Sequence, residues 1–349
     1  MYGYIWLESY NEFADNDLME KKPETNIKVI AIKLPYDLQD RILTFPFLHS
    51  ISEYYPKADI HLITSRKEVE VLNLLPFKAY YHLFNEEEIK TIFDIHPYTA
   101  NAAIYNVDLF ISLTNSFSDA SLGLGLRAKM RVGFSDDWKT LLLTHKVKRP
   151  IGHHLVEDYM VLYELITGES FNHRLRVNAR PVSKIFEDDT PYIAINLHPL
   201  KEASINDDWL DLISKFEGKK IVFFASEDQV KTQLLIENFI NLLPSTNTYV
   251  FFYHENWIEL ARMLSYSIGV ITFSGAGAAL AAYVGSRSII LYENDDPDRT
   301  APFYFLSDVE IMGASNKLFN EVIETRTENF RVSFDMSQVY KKALDFFRI

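Results

Sequence analysis

Runs of consecutive apolar, β-branched residues recur along the chain, separated by stretches of helical periodicity. NIKVIAIKL (26–34) and VDLFISLTN (107–115) carry apolar residues at successive rather than alternate positions, as strands covered on both faces do, and ADIHLITS (58–65) and KMRVGF (129–134) read as further strands. FKAYYHLF (77–84) reads as a further strand with a loop end. Between the strands, 42–54 carries a helical pattern, 68–75 a short one, and 153–168 a longer one that stops at a glycine. After residue 190 the alternation begins again. Strands are predicted at 191–199, 219–226, 247–253, 268–275 and 286–294, and helices at 207–216, 227–243, 257–266, in the small-residue run AGAALAAYVG, and at 336–347. Covered strands alternating with helices predict parallel βαβ units. Residues 169–190 are polar, carry Pro181 and read as a linker, and 1–25 read as an extension. The expected fold is therefore α/β, with two Rossmann-like domains (26–168 and 191–335) facing a cleft and a closing helical segment, 336–349. Ligands of such sheets sit at the carboxyl ends of the strands, so the cleft is the expected site.

Composition narrows the classes. A chain of 349 residues fits two domains at roughly 150 residues each. Acidic residues outnumber basic ones by 48 to 35, a net charge of −13, which argues against nonspecific nucleic-acid binding. There is no cysteine, which excludes disulfides, thiolate catalysis and cysteine-ligated metal sites. No apolar run is long enough for a membrane-spanning helix, and the aromatic N-terminus lacks a basic stretch and meets Glu8 early, unlike a signal peptide. We therefore expect a cytoplasmic protein. The aromatic residues of 1–25 are expected to pack on the body, with self-association or contact with a membrane surface as the alternatives.

Six places carry candidate chemistry. Asp40 follows the first buried strand and precedes a helix; a carboxylate there can take a proton from a hydroxyl, and helix capping is the alternative. In ITFSGAGAALAAYVG a buried strand ends at Ser274 and Gly275 and a helix of small residues begins with Ala276 and Gly277. Its free amides suit a diphosphate, while tight helix–sheet packing also demands small residues. His198, Lys201 and Ser204 at a second strand exit suit a phosphate. Ser226 and Glu227 lie at a third, where Glu227 suits a ribose or a helix cap. Asp296 and Asp298 form an Asp-x-Asp pair, of the kind that holds Mg²⁺ or Mn²⁺ or is simply solvated. Finally, Arg127, Lys129, Arg131, Lys139, Lys146, Lys148 and Arg149 form a basic run in an acidic protein, suited to an anionic acceptor such as a phosphorylated glycolipid. His153 and His154 are adjacent, so on a helix they point apart and do not form a metal pair.

Several of these segments together resemble glycosyltransferase family 9, the lipopolysaccharide heptosyltransferases. The opening strand followed by QDRILTFPFLHSISEYYPKADIHLIT is similar to the family's Gly-Asp-x-x-x-Thr-x-Pro signature, with Asp40, Thr44 and Pro46 in place and Gln39 in place of the glycine. DLFISLTNSFSDASLGLGLRAKMRVGF, HHLVEDYMVLYELITG and WIELARMLSYSIGVITFSGAGAALAAYVGSRSIILYENDDP resemble later family segments, so the likeness spans 26–302. It implies a GT-B architecture with an acceptor-binding N-terminal half, a donor-binding C-terminal half, and a terminal helix packing back on the N-domain. It implies inverting, metal-independent transfer from a nucleotide-diphosphate sugar without a cofactor, with Asp40 as catalytic base. His198, Lys201, Ser204, Ser226, Glu227, Ser274, Gly275, Ala276, Gly277 and Asp296 then become donor-side candidates. Asn115, Ser116, Arg131 and Lys139 become acceptor-side candidates. The expected partners are a nucleotide sugar and an anionic glycolipid or oligosaccharide, with peripheral contact at the inner-membrane surface held open. In the donor motif Ser274 stands where the family has an acid and Ala279 where it has a histidine. The second reading is accordingly a catalytically silent relative that binds a glycan or a protein, and the third a sugar-nucleotide epimerase of similar build.

Overall fold

The computed structural model describes residues 26–84, 94–135, 138–150, 152–170, 183–196, 207–225, 229–292, 296–302, 309–313 and 336–348. Twelve strands form two parallel sheets. The first contains β1 (Val29–Lys33), β2 (Asp59–Ser65), β3 (Tyr80–Phe84), β4 (Leu109–Ser112), β5 (Met130–Phe134) and β6 (His145–Val147), in the order β3-β2-β1-β4-β5-β6. The second contains β7 (Tyr192–Asn196), β8 (Lys220–Phe224), β9 (Thr248–Phe251), β10 (Gly269–Phe273), β11 (Ser288–Tyr292) and β12 (Val309–Gly313), in the order β12-β11-β10-β7-β8-β9. Each sheet grows from its first strand toward one edge, then returns and grows toward the other. The reversals fall between β1 and β4 and between β7 and β10, and a crevice opens at the carboxyl ends of the strands at such points. The strands are buried as the apolar runs require: every residue of β4, β7, β8, β10 and β11 is buried.

The helices differ from expectation in instructive ways. The predicted helix 42–54 begins earlier and is broken into α1 (Leu38–Leu43) and α2 (Phe45–Tyr54), meeting at Thr44. Pro46 causes the break, because it has no N–H for an uninterrupted helix and its ring crowds the preceding turn. The 68–75 segment is a 3₁₀ turn, Val69–Leu74. Six further elements were not legible as periodic runs: β6, β12, the 3₁₀ turn Trp138–Leu142, and the helices α3 (Ile95–Ala102), α4 (Phe117–Gly125) and α10 (Pro297–Thr300). The remaining helices are α5 (Leu155–Thr167), α6 (Asp207–Ser214), α7 (Gln229–Ile240), α8 (Trp257–Ser265), α9 (Ala276–Tyr283) and α11 (Met336–Phe347). Among the described residues no helix is long and apolar enough to cross a membrane.

One core runs through both halves. It unites Ile30, Ile32, Leu43, Phe45 and Phe47 with Trp257, Leu260, Val270, Leu280 and Tyr283. The small residues of α9 let it lie directly against α1. Phe45 meets the edge of Tyr283 at 4.8 Å between ring centres, and the Tyr283 hydroxyl donates to the Leu74 carbonyl at 3.0 Å. The amide of Trp257 donates to Glu70 at 3.3 Å.

The terminal helix does not pack back on the N-terminal half as expected. Val339, Ala343 and Phe347 are spaced four apart, form one apolar face, and are buried in the second half's core with Trp209 and Leu212 of α6. The Tyr340 hydroxyl donates to the Lys215 carbonyl at 3.0 Å. Gly269 makes room for Phe347, since a Cβ there would stand 2.3 Å from the ring. Gly269→Ala is therefore expected to destabilise the protein by about 1–3 kcal/mol through overpacking. A urea melt checks this, and an unchanged midpoint would show that the ring packs elsewhere.

Candidate active site

The segment leaving β1 is clamped before α1 begins. Asp37 is the N-cap of α1, its side chain accepting from the Asp40 amide at 3.1 Å. Asp40 is thus in the first turn but is not the cap, and its own carboxylate is left for other work. Arg41, fully buried, donates to the Pro35 and Tyr36 carbonyls at 3.3 and 2.8 Å, to the Lys67 carbonyl at 3.0 Å and to the Ser65 hydroxyl at 3.0 Å. On the other side, buried Lys33 lies 3.7 Å from Asp119 and 3.8 Å from the centre of the Tyr36 ring, whose hydroxyl donates to Asp119 at 2.7 Å. Multiple charge-assisted contacts of this kind fix a loop and so fix where Asp40 points.

Asp40 is half-buried, and its carboxyl is pushed up to about 6. Burial is the largest cause and neighbouring Asp37 adds to it, while Arg299 and Arg149 pull the other way. Those arginines come from different halves: Arg149 follows β6 and Arg299 lies on α10. Both donate to the same oxygen of Asp158 on α5, at 3.0 and 2.7 Å, and Asp158 has no solvent exposure. Arg149 also donates to the Asn115 side chain at 2.7 Å and stacks 4.1 Å from the centre of the Phe134 ring. Arg299 also donates to the His153 carbonyl at 2.6 Å. Burial raises the Asp158 carboxyl and the two guanidiniums oppose that rise.

His154 completes the link. As N-cap of α5 its Nδ1 accepts from the Val156 amide at 3.1 Å, in a capping box with Glu157. The proton is thereby assigned to Nε2, which donates to the Ala301 carbonyl at 2.7 Å. Burial pushes this imidazole down to about 3, with Arg299 also lowering it against the Ala301 bond, so it is a neutral structural group at ordinary pH. Asp296 caps α10, accepting from the Asp298 amide at 3.0 Å, and so sets the direction of Arg299.

At the exit of β10, Gly275 is the N-cap of α9 with φ +132°, a conformation that favours glycine. No side chain caps the helix, and the space a Cβ would occupy is open. Ser274 is held to the sheet by its amide, 3.0 Å from the Leu291 carbonyl, and Ala276 is half-buried beside it. The two readings of this segment apply to different residues. Gly277 and Ala278 to Ala282 are buried and serve packing, whereas the turn at Gly275 has no side-chain cap and leaves the backbone open to approach.

The other candidates are distributed unevenly. Asn115 is exposed and joined to Arg149, and Ser116 caps α4 by accepting from the Asp119 amide at 3.3 Å. Arg131 does not join the cluster; its guanidinium donates to the Leu142 and Ala128 carbonyls at 2.7 and 2.9 Å and so ties the segments on either side of β5 to that strand. The side chain of Lys139, and His198, Lys201, Ser204, Ser226 and Glu227 altogether, lie outside the described residues. Arg149 was visible in the sequence only as one of seven cations. Asp158 and Arg299, 141 positions apart, left no local pattern that would pair them.

A carboxylate raised toward neutrality at a strand exit, within the field of guanidiniums from both halves, is equipped to accept a proton. The model of the family described as "Glycosyltransferase family 9 (heptosyltransferase)" matches residues 102–326. The lipopolysaccharide core heptosyltransferase OpsX of Haemophilus influenzae is 21% identical over 272 residues, covering 74% of this chain and 77% of that protein. The crystal structure of a family 9 glycosyl transferase from Veillonella parvula superposes with a TM-score of 0.77 at 17% identity, covering 94% of this chain and 99% of that one. The E. coli ADP-heptose lipopolysaccharide heptosyltransferase II superposes with a TM-score of 0.69 at 16% identity, covering 92% and 99%.

Proposed function

The chain belongs to glycosyltransferase family 9, the heptosyltransferase family, and from that premise we propose that it transfers heptose or a related sugar from a nucleotide-diphosphate donor to a lipopolysaccharide-type or other surface-glycan acceptor. The observation carrying this reading is the position of Asp40, at the carboxyl end of β1 with arginines from both halves beside it. In the proposed step the Asp40 carboxylate takes the proton of an acceptor hydroxyl. The oxygen forms a bond to the anomeric carbon of the donor from the face opposite the diphosphate, the bond to the diphosphate breaks, and the configuration inverts. The uncapped amides of α9 at Gly275 favour the charge that accumulates on the departing nucleoside diphosphate. Arg149, rather than Arg131, is the cation of the basic run placed to meet an anionic acceptor, with Asn115 beside it. In this proposal the step needs no metal or cofactor, as the family resemblance implies, and Asp296 serves as the cap of α10.

The donor is tested by incubating the protein with ADP-heptose and a panel of other nucleotide sugars, following nucleotide release and thermal stabilisation. Stabilisation by one donor, with release that requires an acceptor, supports transfer. The packed Ala279, 1% exposed where the family has a histidine, favours the silent relative as second reading, and stabilisation by no donor would establish it.

A further inference from the structure

At the outer edge of the first sheet a helix leaves part of a strand uncovered. β3 is the edge strand, and its His82 pairs in register with Ile63 of β2. Residues in register share a face of the sheet. Ile63 is packed with Ile95 and Tyr98 of α3, so His82 points to the side that α3 occupies. The helix is drawn toward α4 instead of lying squarely on β3. Gly125 of α4 admits it closely, since a Cβ there would stand 2.7 Å from Ile95 and 2.8 Å from Thr99. A cavity of about 430 Å³ remains between α3 and β3, lined by His82 and Leu83 of the strand and by Asp94, Pro97, Tyr98 and Asn101 on the helix side. That volume is within the range of small-molecule sites.

The His82 imidazole is a wall of this cavity, and its hydrogen bonds are spent on the fold. It donates to the Ala102 carbonyl at the end of α3, and its Nε2 lies 2.8 Å from Nδ1 of His61. With Nδ1 of His82 donating to the helix, Nε2 accepts from His61. Burial, and after it His61, holds the His82 ring below the ordinary histidine value, so it is neutral at pH 7. The pair ties the last turn of α3 to the two outer strands and keeps the cavity in shape. The rest of the lining says what fits. Among the described residues that line the cavity, Asp94 is the one charged at neutral pH, and none is a lysine or arginine. The segment from β3 to α3, 85–93, reads NEEEIKTIF, with three glutamates to one lysine. Phosphates and carboxylates are therefore disfavoured. Asp94 stands at the N-cap of α3 without capping it. Its carboxylate accepts hydrogen bonds, while the Asn101 amide and the Tyr98 phenol both donate and accept. Set among the flat apolar surfaces of Pro97 and Leu83, these groups match a neutral ring that bears many hydroxyls.

We propose that the cavity between α3 and β3 binds a neutral saccharide unit, with Asp94 and Asn101 hydrogen-bonding its hydroxyls. The site is separate from the crevice at Asp40. β2 lies between β3 and β1, and no described residue of β1 or α1 lines the cavity. The helix α3 runs back toward the start of β4, so Asp94 lies toward the carboxyl ends of the strands, the side on which Asp40 stands. That a glycan acceptor fills the cavity while its reacting hydroxyl meets Asp40 rests on the glycosyltransferase reading; saccharide binding stands without it.

The test is saturation-transfer NMR of the full chain with the methyl glycosides of glucose, galactose and mannose and with N-acetylglucosamine. Saturation is expected to reach at least one of them. For that sugar the Kd is expected to rise about tenfold in Asp94→Ala, the loss of one hydrogen bond to a charged group. Binding is expected to vanish in Asn101→Trp, whose indole fills the cavity from an exposed position. Thermal melts show whether each variant folds; should Asn101→Trp not fold, Asp94→Ala decides. Asp40→Asn is expected to bind the sugar as the parent does. Saturation of none of the four sugars, or binding unchanged in the folded cavity variants, overturns the proposal. So does binding lost in Asp40→Asn, which would place the sugar in the crevice. Binding of spermidine or inorganic phosphate in place of the sugars overturns it too. Nucleotide-sugar turnover is a separate readout, so failure of saccharide binding and failure of transfer are distinguishable.

Discussion

Asp40→Asn is expected to lower kcat for sugar transfer by about 10²–10⁴-fold, the contribution of a positioned general base. Folding is expected to be undisturbed. The amide fits the same space, and the α1 cap belongs to Asp37, which accepts from the backbone of residue 40. Stability should even favour the variant at neutral pH. The Asp40 carboxyl is raised from 3.8 to about 6 in the folded chain, so between those values the folded state holds more protons than the unfolded state. Its stabilising contribution is complete below pH 3.8 and lost as pH rises through about 6. Above that, the native state carries a half-buried negative charge that Asn removes. Thermal melts at pH 7 should thus show a Tm equal to or above that of the parent, alongside the loss of kcat. A kcat unchanged by the substitution would remove Asp40 from the reaction.

The second large effect concerns the clasp. Arg149→Met/Arg299→Met is expected to destabilise the chain by about 3–5 kcal/mol, because it leaves the fully buried Asp158 carboxylate with neither guanidinium. Each single substitution leaves the other arginine on the same oxygen and should cost less than half of that, so the two effects are not additive. Adding Asp158→Leu to the double variant should restore most of the loss, since an apolar replacement of similar size removes the stranded charge. Urea denaturation of the parent and the four variants measures this cycle. Additive single effects, or no recovery with Asp158→Leu, would mean that the two arginines do not share Asp158 as the structure has them.

The sheets were readable because parallel strands buried on both faces carry runs of consecutive apolar residues, as Ile30–Ile32 and Ile289–Leu291 do. The βαβ alternation placed Asp40 at a strand exit, but the strand order and its two reversals came only with the fold. Elements whose pattern is diluted were not readable. β6 has three residues set in a run of cations, and α3 carries Pro97 inside its first turn. α1 was obscured because Arg41 is a buried residue of polar type, held by four oxygens rather than by apolar contacts. The same limit governed the site. Asp40 and Gly275 sit at strand exits, which sequence reveals, but Asp158 and Arg299 are partners only through the fold. Arg131 illustrates the converse: a cation in a suggestive run whose guanidinium satisfies backbone carbonyls instead. The terminal helix showed an amphipathic face, but nothing in its periodicity said which sheet would receive it. Gly269, the residue that decides this by admitting Phe347, is far away in sequence.

That the Asp40 carboxylate faces the second half across the crevice is tested most directly by following its carboxyl ¹³C resonance against pH, assigned by its absence in Asp40→Asn. The expected midpoint is about 6 in the parent, rising further in Arg299→Met because a cation that lowers it has been taken away. A midpoint near 3.8, or one that does not move when Arg299 is replaced, would contradict the account.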